Sequence, residues 1–186
     1  MGGSATATPT DEPAFIAKGA AAPAIVGTTL DGQPFDLASL RGRSVVVNFW
    51  GPSCVPCRDE FPLLKAKLAK YGGNGSSAGT SGGIAIVGIL MDDPVAPAKD
   101  FIAQFAATWP TVNDPDKSIR TAYRVAARPQ TYFIDRDGIL RAIQVGELTD
   151  EEFEKQYALI SGGAAAPSGT PVPLPAAATP SEAAMP

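Results

Sequence analysis

Two kinds of hydrophobic pattern alternate along the middle of the chain. Residues 44–50 and 84–91 are almost entirely apolar and rich in β-branched side chains, which is typical of strands covered on both faces. Between them, residues 55–71 place large apolar side chains at three- and four-residue intervals from Phe61 to Tyr71, which predicts a helix with one buried face. Together the patterns predict a domain of the α/β class.

The remaining pattern predicts two hairpins and three more helices. Asp31-Gly32 joins candidate strands at 25–30 and 34–37, and Arg136-Asp137-Gly138 joins strands at 131–135 and 139–145. Helices are predicted at 96–107, at 116–123 and from Thr149 to Ile160, the last with a Thr149/Glu152 capping box. Because strands alternate with helices and end in a hairpin, we expect a central mixed β-sheet with helices on both faces, extended by the N-terminal hairpin.

Much of the Gly, Pro and Ala in this 186-residue chain lies outside the patterned segments. Residues 1–12 and 161–186 contain no aromatic side chain and have too little apolar surface to offset chain entropy. We therefore predict a flexible N-terminal segment at 1–12, one domain at 13–160 and a disordered tail at 161–186. Within the domain, residues 72–83 are half Gly and predict a flexible loop.

The composition excludes several classes of function. The chain has no His, so it cannot form a Ser-His-Asp triad, a Cys-His pair or a His-ligated metal site. A formal net charge of -4 without any basic run argues against nucleic-acid binding. No apolar run reaches the ~18 to 20 residues of a membrane span, and no secretory signal pattern opens the chain. We expect either a cytosolic protein or one whose signal or anchor has been removed, and the MGGS start favours the second.

The two cysteines lie where a buried strand gives way to a helix. Cys54 should fall at the helix N-terminus, where unpaired N–H groups and the helix dipole stabilise a thiolate. Cys57 follows about one turn later, within the separation that a disulfide needs. The spacing predicts a redox dithiol, with Cys54 as the exposed attacking thiol and Cys57 as the more buried resolving thiol.

Two other interpretations of Cys54 and Cys57 remain open at this point. A structural disulfide is one, although so small a loop constrains the unfolded chain little. A metal site is the other, but two Cys without His would need further ligands from a second chain. We therefore expect no metal.

The segment VVVNFWGPSCVPCRDEFPLL resembles the active-site signature of the membrane-associated thioredoxin-like proteins ResA, TlpA and CcmG, the last also called DsbE. The resemblance extends from about Ala22 to Val145 and implies a thioredoxin-like fold. Two departures stand out. Ser53 stands where family members often have a second Trp, and the Gly-rich loop is long.

The resemblance also implies roles for residues around the cysteines. Pro129 matches the family's cis proline, which lies against the CxxC turn and exposes a backbone edge to an extended substrate. Glu60 matches a carboxyl beside the dithiol that exchanges a proton with Cys57, with a solvated helix carboxylate as the alternative. Thioredoxin has a buried Asp on the preceding strand, where this chain has the non-titrating Asn48.

Three further residues complete the predicted site. Arg128 precedes Pro129, and from this sequence we hypothesise that its charge favours the Cys54 thiolate; a solvated Arg is the alternative. Together with Trp50 and Pro56 it is assigned to client binding, although Trp50 is expected chiefly to pack beside the site and Pro56 to stiffen the turn.

The resemblance implies a protein-disulfide oxidoreductase that acts outside the cytoplasm, in the periplasm or anchored to a membrane. It would transfer two electrons to disulfides of client proteins, apocytochrome c among them, and be reduced by a membrane thiol-relay protein. We expect a monomer with no cofactor besides the Cys54–Cys57 disulfide. The alternatives are a disulfide-forming oxidant or isomerase, a thiol peroxidase related to peroxiredoxins, and a copper-binding module.

Overall fold

The computed structural model describes residues 16–72 and 83–162, which form a layered α/β domain. Its strands are β1 Val26–Thr28, β2 Pro34–Asp36, β3 Ser44–Trp50, β4 Ile84–Leu90, β5 Thr111–Asn113, β6 Gln130–Ile134 and β7 Leu140–Val145. Its helices are α1 Val55–Tyr71, α2 Val95–Phe105, α3 Ser118–Ala122 and α4 Asp150–Ser161, with a short 3-10 helix at Leu37–Leu40.

The five strands β3 to β7 form one mixed sheet in the order β5-β4-β3-β6-β7. The three strands β5, β4 and β3 are parallel, whereas β6 and β7 pair antiparallel. Strand β3 lies at the centre and is buried along its whole length, in agreement with its almost wholly apolar sequence. In its pairing with β6, Asn48 lies opposite Thr131 and Phe49 opposite Gln130.

Alternate residues of the central strands face two separate hydrophobic cores. Val46 and Trp50 of β3 lie in the core that α1, α2 and α4 cover. Val45, Val47 and Phe49 lie in the opposite core, which α3, the 3-10 helix and the N-terminal hairpin cover. This confirms the thioredoxin-like α/β fold that the alternating pattern and the resemblance predict, with helices on both faces of a mixed sheet.

The N-terminal hairpin is present and is attached beside β5. Strands β1 and β2 pair antiparallel, and Gly32 in their connection has a φ of +80°, a conformation that suits Gly. Leu30 N donates to Thr111 O at 2.8 Å, and Thr29 forms a bridge with Val112. Strand β5 is absent from the sequence prediction; it has three residues, and its pairing with β4 and the hairpin holds it.

The predicted domain limits remain predictions. Residues 1–12, most of the 72–83 loop and nearly all of 161–186 lie outside the residues that the structure describes. Within 16–72 and 83–162, no helix is both long enough and apolar enough to span a bilayer.

The predicted capping box of α4 provides a test of the fold. Thr149 Oγ1 accepts from Glu152 N at 3.2 Å, and Thr149 N donates to Glu152 Oε2 at 2.9 Å. Thr149→Ala should lower the free energy of unfolding by about 1 kcal/mol, because an N–H at the start of the helix loses its acceptor. Chemical denaturation measures the change. Thr108→Ala, at an exposed residue outside the helices, is the matched control, and equal losses in both variants would contradict the capping role.

Candidate active site

Cys54 and Cys57 form a disulfide at the N-terminus of α1, with their Cα atoms 5.3 Å apart. Cys54 is the N-cap residue, with extended backbone angles, and its Sγ accepts from Cys57 N at 3.3 Å. The helix begins here because Cys54 supplies the cap and Pro56 occupies the first turn, where it gives up no helical hydrogen bond. The Cys54 sulfur is therefore in the position where the helix dipole and free N–H groups favour a thiolate.

The two cysteines differ in their access to solvent. Cys54 is 8% exposed and Cys57 is fully buried. Next to Cys54, the Val55 side chain is 71% exposed and Pro56 is half-buried, so an apolar surface flanks the accessible sulfur. In this geometry an external thiol or disulfide meets Cys54 first.

Glu60 lies one turn beyond Cys57 on the same helix, and it is 1% exposed. Asn48 of β3 and Thr131 of β6, which lie opposite each other in the sheet, both bond it. Thr131 Oγ1 donates to Glu60 Oε1 at 3.2 Å, and Asn48 Nδ2 donates to Glu60 Oε2 at 3.4 Å. Asn48 Nδ2 also donates to Thr131 Oγ1 at 3.0 Å, so the three side chains form one buried polar cluster beneath α1.

Burial raises the pKa of Glu60 from an ordinary 4.5 to about 8. The hydrogen bonds from Thr131 and Asn48 act in the opposite direction, whereas the charge of Glu147 raises the pKa further. An ordinary thiol has a pKa of ~8.5, so this carboxyl is matched to exchange a proton with a cysteine. Glu60 is thus a buried acid, not the solvated helix carboxylate that was the alternative.

The Arg128–Pro129 peptide bond is cis, and Pro129 is buried. Pro129 directly precedes β6, whose first residue Gln130 pairs with Phe49 near the end of β3. Gly146 N donates to Pro129 O at 3.0 Å, which ties the loop after β7 to the proline. The sheet thereby brings Pro129 to the same end of β3 as the CxxC turn.

Arg128 lies beside the CxxC turn, but its charge is paired. Its Nη2 donates to Ser53 Oγ at 2.7 Å, and its Nη1 lies 2.8 Å from Asp93 Oδ2. The hypothesis that the Arg128 charge favours the Cys54 thiolate stays a prediction, and the structure adds a carboxylate, Asp93, that pairs with this charge. The alternative of a merely solvated Arg is wrong, since only 19% of the side chain is exposed.

The predicted role of Trp50 in client binding also needs correction. It is fully buried, with its ring centroid 4.7 Å from that of Phe61 and 5.1 Å from that of Phe101. Even-numbered residues of β3 face α1, so Trp50 points into the core and cannot contact a client. Its assignment to client binding is wrong, and its packing role beneath the active-site helix is the one observed. Pro56 and Arg128 stay accessible.

Sequence reasoning missed three residues of the site. Thr131 and Glu147 act on Glu60, and Asp93 acts on Arg128. The antiparallel pairing of β3 and β6 could have indicated Thr131, because it places that residue opposite Asn48. Among the residues that the structure describes, no group of three or more Cys, Asp or Glu side chains could hold a metal ion.

The fold and the site define a class: a thioredoxin-like domain with a disulfide at the N-terminus of the active-site helix and a buried carboxyl behind it. The AhpC/TSA family model matches residues 18–143. The chain is 31% identical over 144 residues to the thiol-disulfide oxidoreductase ResA of Geobacillus kaustophilus, covering 77% of this chain and 78% of the relative. It is 29% identical over 148 residues to ResA of Bacillus subtilis, covering 80% and 78%.

Solved structures agree with these relatives. A DsbE-type thiol:disulfide interchange protein from Chlorobium tepidum matches with a TM-score of 0.69 and 28% identity, over 79% of this chain and 99% of that one. A secreted Mycobacterium tuberculosis disulfide oxidoreductase homologous to DsbE of E. coli matches with a TM-score of 0.61 and 28% identity, over 72% and 94%. The chain belongs to the AhpC/TSA family, among the ResA- and DsbE-type thiol-disulfide oxidoreductases, and is a thioredoxin-like protein-disulfide oxidoreductase.

The raised pKa of Glu60 predicts a pH-dependent stability. The folded state holds the Glu60 proton more tightly than the unfolded chain, so stability should fall as pH rises from about 4.5 towards 8. The full loss corresponds to about 5 kcal/mol. Glu60→Gln should remove this loss, and denaturation of the oxidised protein at several pH values measures it. Asp59→Asn, which removes an exposed carboxyl from the same helix, is the control and should keep the wild-type slope. An unchanged slope in Glu60→Gln would contradict the assignment.

Proposed function

We propose that the protein reduces disulfides of client proteins outside the cytoplasm, with Cys54 as the attacking thiol. The observation that carries the proposal is a disulfide whose two cysteines differ in access, with Cys54 8% exposed and Cys57 fully buried in the first turn of α1. The thiolate at Cys54 is favoured by the helix N-terminus. ResA and DsbE relatives that carry the name of thiol-disulfide exchange support the same chemistry.

The reaction proceeds by two thiol–disulfide exchanges. The Cys54 thiolate attacks one sulfur of the client disulfide, which forms a mixed disulfide and releases the other client sulfur as a thiolate that takes up a proton. Cys57 then loses its proton and attacks Cys54 Sγ as a thiolate. The Cys54–Cys57 bond forms, the bond between Cys54 and the client breaks, and the second client sulfur leaves as a thiolate that takes up a proton. Two electrons pass to the client. The disulfide itself carries them, and no other cofactor is required.

Glu60 is the proposed proton acceptor for Cys57 in the second step. It lies one turn beyond Cys57 on α1, and water has almost no access to either side chain. With a pKa of about 8, Glu60 is mostly protonated at neutral pH, so its ionised fraction is the form that accepts the proton. The transfer costs little because an ordinary thiol has a pKa of ~8.5. Glu60 then releases the proton to water. Glu147, whose charge acts on Glu60, is exposed to solvent.

The biological assignment that we favour is cytochrome c maturation, in which the client is the CxxCH segment of apocytochrome c. The ResA and DsbE relatives support it, and one of the matching structures is that of a secreted protein. In this assignment the protein acts as a monomer, in the periplasm or anchored to a membrane. A membrane thiol-relay reductase restores its dithiol.

A thiol peroxidase is the second candidate, because the AhpC/TSA family model matches the domain. Such an enzyme positions a Thr hydroxyl before its reactive cysteine. Here Gly51, Pro52 and Ser53 precede Cys54, and the Ser53 hydroxyl donates to Asp93 at 3.0 Å and accepts from Arg128. The Ser53 hydroxyl is thus engaged away from the sulfur, which favours disulfide reduction over peroxide reduction.

The proposal is tested by trapping the mixed disulfide. Cys57→Ser should accumulate a covalent adduct with an oxidised CxxCH peptide, because Cys54 can attack but nothing resolves the product. Cys54→Ser, the matched control, should form no adduct because the buried Cys57 is out of reach. Mass spectrometry under non-reducing conditions identifies the linked cysteine.

Two outcomes would contradict different parts of the proposal. An adduct through Cys57, or none in either variant, would contradict the role of Cys54. If the wild-type protein reduced an unrelated disulfide peptide as fast as the CxxCH peptide, the thiol chemistry would stand and the assignment to apocytochrome c would be contradicted.

A further inference from the structure

An ion-paired cluster joins three separate loops beside Cys54. Arg128 comes from the loop before β6, Asp93 from the loop after β4, and Ser53 from the CxxC turn itself. Arg128 Nη1 lies 2.8 Å from Asp93 Oδ2, and Arg128 Nη2 donates to Ser53 Oγ at 2.7 Å. Ser53 donates to Asp93 Oδ2 from its hydroxyl at 3.0 Å and from its backbone N at 3.3 Å. Each of the three groups thus contacts the other two.

The surroundings of the cluster hold its side chains in place and shield them partly from water. Arg128 Nη1 also donates to Met91 O, the carbonyl that follows β4. The side chains of Arg128 and Asp93 are 19% and 11% exposed, so water screens the pair less than it would a surface salt bridge. A Cβ at Gly51 would overlap both Asp93 Oδ2 and Arg128 Nη1. The ion pair therefore fits here only because residue 51 is a glycine.

The cluster acts on the reactive cysteine through its neighbour in the chain. Ser53 is bonded to both charges and directly precedes Cys54, whose N donates to Gly51 O at 3.1 Å. Both charges are therefore held close to the place where the Cys54 thiolate forms on reduction. Ser53 also stands where relatives often have Trp, so the cluster uses the residue at which this chain departs from the family signature.

We propose that Arg128 and Asp93 are an opposed pair of charges that set how readily the Cys54 thiolate forms, Asp93 cancelling most of the stabilisation that Arg128 alone would give. Both are positioning residues: their bonds to Ser53 hold the two charges beside the turn, and the charges act on Cys54 from there. The inference rests on the proposed function of Cys54 as the attacking thiol. A nearby positive charge favours a thiolate and a negative charge disfavours it, so the two members have effects of opposite sign.

Other charged groups around the turn have partners of their own or lie on another side. Asp92, next to Asp93, pairs with Arg120 at 2.6 Å and with Lys117 at 3.3 Å, and the Arg128 charge acts on it more weakly than these two. Arg58 lies over the Phe101 ring at 5.2 Å. Two further carboxyl groups on α1 are the exposed Asp59 and the buried Glu60, on which the charge of Glu147 acts. Asp93 and Arg128 are the two that contact Ser53.

The test measures the titration of each cysteine in the reduced full chain, from the pH dependence of alkylation followed by mass spectrometry. Arg128→Gln should raise the Cys54 pKa by about 0.5 to 1 unit, because the Asp93 charge is left unopposed. Asp93→Asn should lower it by a similar amount, and the double variant should return close to wild type. Asp92→Asn removes the adjacent carboxylate, on which Lys117 and Arg120 act more strongly than Arg128, so it is the matched control and should shift the pKa less than half as far.

Opposite shifts with near-cancellation in the double variant support the proposal. A role in folding alone would give shifts of the same sign in both single variants, or none beyond the Asp92→Asn control, and either result would overturn it. These outcomes are separate from the proposed function. If the Cys57→Ser variant formed no mixed disulfide with a client peptide, the proposed function would be contradicted whatever the direction of these pKa shifts.

Discussion

The pairing register of β3 with β6 is the constraint on which the site depends. It sets Asn48 opposite Thr131 on the face covered by α1, and it brings Pro129 to the end of β3 that leads into the CxxC turn. A slip of one residue would turn Thr131 to the opposite core and separate the bonds that hold Glu60. The buried strand β4 on the other side of β3 fixes the strand in place, so the register is determined by two neighbours at once.

Because of that register, the two faces of the active-site turn have different surroundings. Below the turn, Glu60 is shielded from water, and burial keeps it protonated to a higher pH than an exposed carboxyl. Above it, Cys54 reaches the surface at the end of the helix dipole. In the function that we propose, Glu60 on the inner side exchanges the proton and Cys54 on the outer side contacts the client. Trp50, at the end of β3, takes no part in the chemistry; its ring packs against Phe61 and so helps to hold α1 over the sheet.

Local patterns were sufficient for most elements, and long-range contacts account for what they missed. The apolar run of β3 and the helical repeat of α1 predict the strand-to-helix junction, and the cysteine spacing predicts the disulfide, because each depends on neighbouring residues. Strand β5 has no pattern of its own and exists by pairing with β4. Asp93 and Arg128 come from different loops, so only the folded sheet brings them together. The prediction that Trp50 packs beside the site agrees with its position, whereas its assignment to client binding does not, because the alternation along β3 turns it inward.

In the proposed function, the Cys54–Cys57 couple works as a reductant. Its reduction potential, measured by equilibrating the full chain with glutathione or dithiothreitol buffers, tests this most directly. We predict a strongly reducing value, closer to the approximately -270 mV of thioredoxin than to the approximately -120 mV of the oxidant DsbA. A potential near or above about -120 mV would contradict the claim, because the couple would then accept electrons from its clients.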